Sequence, residues 1–244
     1  MASNGPLPAQ KAHVGVIVPA VNRACEQQFH AYAPATLGVH TMRARIAGKW
    51  SRSIEELAPE IRHVTEYMAE CNPDLLVYNC TASSMKEGPA GERRILEIMR
   101  EASDIEAVST SAMVSEAFAA LGIKSVVVIT PYPNNNDIVA YLTATQIEVV
   151  RDVALKLPVS EYSEVTPLKW QEIARINDVK NADGIFLSCA ATTQIEAVAA
   201  IEKELGKPVV NSNQSVLWGV LKRLKPKLGN IEPMPHLGSL MQAL

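Results

Sequence analysis

Leu75-Leu76-Val77-Tyr78-Asn79-Cys80-Thr81-Ala82-Ser83-Ser84 is the stretch that decides the fold of this chain. A short apolar run meets a polar residue, a cysteine, and then small and hydroxyl residues. Such a run predicts a buried strand that empties into a turn and a helix. The same order returns in Ile185-Phe186-Leu187-Ser188-Cys189-Ala190-Ala191-Thr192-Thr193. In a parallel sheet these turns lie at the carboxyl edge, where α/β proteins bind their ligands. Two matching strand ends are therefore expected to deliver two thiols to one small molecule.

The repeat extends outward from the cysteines. Val14-Gly15-Val16-Ile17-Val18-Pro19 matches Val126-Val127-Val128-Ile129-Thr130-Pro131, and the two proline-to-cysteine intervals differ by only three positions. Second strands are expected at Val39–Arg45 and Ile147–Val153. Short strands at Glu106–Ser109 and Lys207–Asn211 each lead into a further helix, Ser111–Leu121 and Gln214–Leu224. Other helices are expected at Ser53–Cys71, Pro89–Glu101, Asn136–Thr145, Lys169–Asn181 and Thr193–Leu205. In the first of these Ile54, Leu57, Ile61, Val64 and Met68 recur at threes and fours, which gives one apolar face. Ser53 and Glu56 have the spacing of a capping box. Strands alternating with helices predict an α/β fold, duplicated, with a parallel sheet flanked by helices in each half. The halves are expected at 13–121 and 122–224, with a boundary near Gly122 and with 225–244 returning to the N-terminal half. Residues 1–12, polar and small, are expected to be a disordered tail without the apolar core of a signal peptide.

Composition excludes several classes of function. The 244 residues are 48% hydrophobic and 20% charged, as in ordinary soluble domains. A net charge of −3 gives no nucleic-acid surface. Lys222-Arg223-Leu224-Lys225-Pro226-Lys227 is the densest basic group and suits a helix C-terminus. No apolar run reaches the length of a membrane span. Cys25, Cys71, Cys80 and Cys189 form neither a disulfide framework nor a CxxC zinc pattern, and the five histidines are scattered. Neither GxGxxG nor GxxxxGK[ST] occurs. The expectation is a reduced, cytoplasmic, homo-oligomeric enzyme that uses its thiols directly, without metal or cofactor.

A cysteine before a helix meets the positive end of the dipole, which predicts a thiol pKa lowered towards neutrality. Thr81, Ser83, Ser84, Thr192 and Thr193 are candidate donors around the two sulfurs, able to cradle a carboxylate without arginine. Two thiols on opposite faces of a bound acid allow two reactions. One thiol can remove an α-proton while the other returns one, which is racemisation. Alternatively, one thiolate adds to an activated C=C bond while the other protonates the neighbouring carbon, and rotation with elimination gives the geometric isomer. Cys25 and Cys71 lack any such pairing and read as helix residues.

These residues resemble the Asp/Glu racemase superfamily, and within it the maleate cis–trans isomerase and arylmalonate decarboxylase branch. The resemblance is carried by Gly15-Val16-Ile17-Val18-Pro19 with Asn22, Tyr78-Asn79-Cys80-Thr81-Ala82, Thr130-Pro131-Tyr132, Leu187-Ser188-Cys189 and Pro208-Val209-Val210-Asn211-Ser212-Asn213-Gln214. It implies two pseudo-symmetric Rossmann-like halves with the active site between them. By analogy Cys80 is the nucleophile and Cys189 the acid/base. Asn22 and Tyr132 hold the substrate carboxylates, with Asn79, Thr81, Ala82, Ala190 and Ala191 around them. The implied activity is conversion of maleate to fumarate, with racemisation of an α-substituted acid or arylmalonate-type decarboxylation as alternatives. Decarboxylases of this branch keep only the second cysteine. One departure stands out. The branch's isomerases carry a substrate-binding asparagine where this chain has Leu155-Lys156-Leu157-Pro158-Val159-Ser160-Glu161-Tyr162, with Ser160 the nearest substitute. An amino-acid racemase would also need a carboxylate for the ammonium group, for which Glu26 and Glu87 are the candidates.

Overall fold

The computed structural model describes residues 8–242 and residue 244. The expected tail therefore lies outside the described residues up to position 7. Lys11 and Ala12 are ordered, because the Lys11 N–H donates to the Thr36 carbonyl at 2.8 Å and Ala12 opens the first strand.

In chain order the first half contains β1 (Ala12–Pro19), α1 (Cys25–Tyr32), β2 (Leu37–Ala44), α2 (Ile54–Ala69), β3 (Leu75–Tyr78), α3 (Thr81–Met85), α4 (Gly88–Ala102), β4 (Ala107–Ser109) and α5 (Thr110–Leu121). The second contains β5 (Ser125–Thr130), α6 (Asn136–Ala144), β6 (Glu148–Ala154), α7 (Pro167–Asn177), β7 (Gly184–Leu187), α8 (Val198–Leu205), β8 (Val209–Asn211) and α9 (Ser212–Leu228). Gly122 takes φ +68 to end α5, a left-handed conformation that costs glycine nothing.

Each half forms a four-stranded parallel sheet, ordered β2-β1-β3-β4 and β6-β5-β7-β8. The repeat holds at the level of register. Ile17 pairs with Tyr78, and Ile129 pairs with Leu187. One residue further on, the Asn79 N–H donates to the Ile17 carbonyl and the Ser188 N–H to the Ile129 carbonyl. Cys80 and Cys189 therefore leave their sheets at equivalent points, beside Pro19 and Pro131. At the adjacent strand ends Ser109 and Asn211 cap α5 and α9, and Asn211 with Gln214 completes a capping box.

Strands buried on both faces read as unbroken apolar runs, yet their side chains alternate between two cores. Val14, Val16 and Val18 face a central core with Val126, Val128 and Phe186, where α5 and α9 supply Met113, Val114, Leu217 and Leu221. Ile17, Leu76 and Tyr78 face an outer core under α2 and α4. Val127, Ile129, Ile185 and Leu187 face another under α7 and α8. The capping box of Ser53 and Glu56 is present at the start of α2.

Three expected helices differ by four residues or more at one end, and the one expected to stop at Leu224 runs on to Leu228. The helix predicted over Thr193–Leu205 begins at Val198, after a 3-10 turn at Ile195–Ala197. Thr192 is the cause: its hydroxyl donates to Gln194 at 2.9 Å, which competes with helical pairing. The helix predicted to reach Asn181 ends at Asn177. The C-terminal segment, expected to return to the N-terminal half, touches both halves, and Lys227 pairs with Asp74 of the first. Its backbone is held by Gln214 at Leu237 and by Glu202 at Ser239, and it meets the first half at α5 and through the His236–Tyr32 ring contact. Among the described residues no helix is long and apolar enough to cross a membrane.

Candidate active site

The carboxyl edges of the two sheets enclose a cavity of about 410 Å³. Cys80 and Cys189 both line it, although 3% and 4% of their surfaces remain exposed. Asn22, Thr81, Ala82, Tyr132, Ala190 and Ala191 line the same space.

Backbone N–H groups surround both sulfurs. Those of Ala82 and Ser83 face Cys80, and the Ala191 N–H donates to the Cys189 sulfur at 3.3 Å. The Tyr132 hydroxyl acts on Cys189 as well, lowering its pKa. The two turns are tied together by Ser212 at the start of α9. Its Oγ accepts from the Thr81 hydroxyl at 2.8 Å and from the Cys189 N–H at 3.2 Å. Asn22 bridges the halves as well. Its Nδ2 donates to the Ala190 carbonyl at 2.9 Å, while its Oδ1 accepts from the N–H groups of Ala24 and Cys25. One amide hydrogen of Asn22 remains for a ligand.

The expected depression of the thiol pKa values is reversed. Burial pushes Cys80 up to about 12, reinforced by the charge of Cys189, against the N–H groups that lower it. Burial likewise pushes Cys189 up to about 11, against the Tyr132 hydroxyl and the Ala191 N–H. Desolvation of a thiolate exceeds what a few neutral donors return. α3 is only five residues long, no helix starts directly after Cys189, and among the described residues no lysine or arginine lines the cavity. Both thiols are therefore protonated in the free protein at neutral pH.

Other expectations also shift. Asn79 lies behind the cavity, fully buried. It donates to the Cys25 sulfur at 2.9 Å and to Asn213 at 3.2 Å, and accepts from Thr110 at 2.8 Å. It is a scaffold residue, because the strand turns its side chain into the core rather than the cavity. Ser83 pairs with Tyr78, and the Thr192 and Thr193 hydroxyls are taken by protein partners, so these three do not form the cradle. Ser160 is exposed and outside the cavity wall; Val159 and Tyr162 line it instead. Sequence reasoning missed Tyr162 as a site residue. Its ring lies 5.9 Å from that of Tyr132. Glu26 pairs with Arg43 and Glu87 accepts from the Ile54 N–H, so neither reaches the cavity. Among the described residues the acidic one on its wall is Asp137. Cys25 is buried at the start of α1, and Cys71 is exposed past the end of α2. Among the described residues, no group of three or more His, Cys, Asp and Glu has the arrangement of a metal site.

Two parallel α/β sheets that bring equivalent strand-end thiols to one cavity define a class of enzymes doing acid–base and addition chemistry on small acids. The arylmalonate decarboxylase family model matches residues 14–230, and the chain belongs to that family. It is 27% identical to a maleate isomerase of Geobacillus stearothermophilus, over 96% of this chain and 98% of that one. It is 25% identical to an arylmalonate decarboxylase of Bordetella bronchiseptica over 58% of this chain and 61% of that one. Its fold matches that of a Nocardia farcinica maleate cis–trans isomerase, a cysteine-to-serine mutant with a covalently bound succinylcysteine intermediate. That match has a TM-score of 0.83 and 21% identity, and covers 95% of this chain and 98% of the other.

Proposed function

We propose that this chain is a cofactor-independent cis–trans isomerase that converts maleate to fumarate. The observation that carries the reading is the pair of thiols, Cys80 and Cys189, from equivalent strand ends in one cavity. The full-length likeness to a maleate isomerase supports it, as does the covalent succinylcysteine of the structural relative.

The chemistry follows from the geometry. The two thiols titrate as a pair, and catalysis needs the pair to lose one proton. Cys80, as thiolate, adds to one alkene carbon, forming a C–S bond as the π bond breaks. Charge moves onto the adjacent carboxylate, where Asn22 and the N–H groups of the cysteine turns receive it. Cys189, as thiol, gives its proton to the neighbouring carbon. The former double bond is now single and rotates. Cys189 takes the proton back, the C–S bond breaks, and fumarate leaves with both sulfurs restored. No net oxidation occurs and no other reactant is consumed.

Decarboxylation of an arylmalonate is the second reading, favoured by the family match and by the apolar part of the cavity wall. It leaves Cys80 without a task. Proton NMR of the purified chain with maleate, without added cofactor, separates the two. Fumarate supports the isomerase; CO₂ release from an arylmalonate with maleate untouched supports the decarboxylase.

A further inference from the structure

The cavity offers more than maleate needs. Maleate has eight non-hydrogen atoms and fills at most about 240 Å³, even if each atom is allotted the ~30 Å³ of a liquid water molecule. The cavity measures about 410 Å³. The extra wall is apolar: Val21 and Ala47 come from the first half, Ile138 and Val159 from the second. Val21 and Val159 are each 40% exposed, and among the described residues they are two of the five large hydrophobic side chains so exposed. Exposed apolar surface gathered at one concave site marks a place that a ligand covers. Asp137, exposed at the start of α6, is an acidic residue of the same wall. The Lys86 ammonium touches Ser51 of the wall. It is engaged by the Ser51 hydroxyl at 3.1 Å and the Arg52 carbonyl at 3.0 Å, and is not part of the wall.

Resting on the isomerase reading, we propose that the substrate is a maleate carrying an uncharged alkyl group on one alkene carbon. The two carboxylates take the N–H groups beside the cysteines. The alkyl group covers Val21 and Val159. Asp137 rejects a substituent that carries a third negative charge, since no cation stands beside it.

The test compares maleate, methylmaleate, butylmaleate and carboxymethylmaleate by proton NMR, with kcat/KM read for each. Burying a methylene is worth about threefold to fourfold. Methylmaleate should therefore exceed maleate by about that factor, and butylmaleate by more than tenfold. Carboxymethylmaleate should fall at least tenfold below methylmaleate, and Asp137→Asn should narrow that gap. Val159→Asn should flatten the alkyl series. A series that is flat or falls with chain length in the wild type, while maleate is still converted, overturns the alkyl substrate and leaves the isomerase standing. Turnover of none of the four overturns both. Equal turnover of carboxymethylmaleate and methylmaleate overturns the role of Asp137.

Discussion

The Asn22 amide donates to the Ala190 carbonyl at 2.9 Å across 168 positions of sequence. Asn213 donates to the same oxygen at 3.0 Å. In a trans peptide the carbonyl and the following N–H point in opposite directions. Two amides that draw the Ala190 carbonyl one way therefore aim the Ala191 N–H the other way, at the Cys189 sulfur. The second thiol's donor is set by residues from both halves.

Removing either amide loosens that peptide. Asn22→Ala and Asn213→Ala should each lower kcat/KM by roughly 10- to 100-fold, since small displacements of catalytic groups carry costs of that order. Asn213→Ala should also lower Tm, because it strips partners from buried Asn79 and Gln28. Steady-state kinetics and thermal melts measure the two effects separately.

On the proposed mechanism the two thiols have unequal work. Cys80→Ala should abolish isomerisation, because no covalent adduct can form. Cys189→Ser should reduce kcat severely, because a hydroxyl is a poorer acid and base there. Full activity in either variant by NMR assay would remove the two-thiol mechanism.

Tyr132→Phe removes the hydroxyl that lowers the Cys189 pKa while leaving the site buried. The thiol pKa should rise further, and the activity profile should move to higher pH. At neutral pH, activity should fall about tenfold for every pH unit that the profile moves. An unchanged pH profile would count against this role.

Thiols held protonated by burial give alkaline activity and alkaline weakness together. Between pH 7 and 9, kcat/KM should rise about tenfold per pH unit as the pair loses its proton. Stability runs the other way. The unfolded chain releases thiol protons near the ordinary value of 9.0, whereas folded Cys25 and Cys80 hold theirs to about 12 and Cys189 to about 11. Above pH 9 the unfolded state binds fewer protons, so stability should fall steadily up to pH 11–12. Denaturant unfolding across this range checks the sign.

The sheets were legible because strands buried on both faces leave unbroken apolar runs, and because proline and cysteine mark their ends. The capping box on α2 was legible because its signal is local. What failed depended on contacts that exist only in the folded chain. Asn79 carries the motif of a ligand-binding residue, but its side chain turns into the core towards Cys25 and Asn213. Tyr162 enters the cavity from a loop whose path follows no periodicity. The direction of the thiol pKa values was misread because a helix N-terminus is visible in sequence. The burial that overrides it is created only when the halves close.

The central claim is that Cys80 becomes covalently bonded to substrate. Cys189→Ser protein incubated with maleate, digested and mapped by mass spectrometry, tests it most directly. The predicted result is a succinyl group on the peptide that contains Cys80. No adduct, or an adduct confined to exposed Cys71, would contradict it.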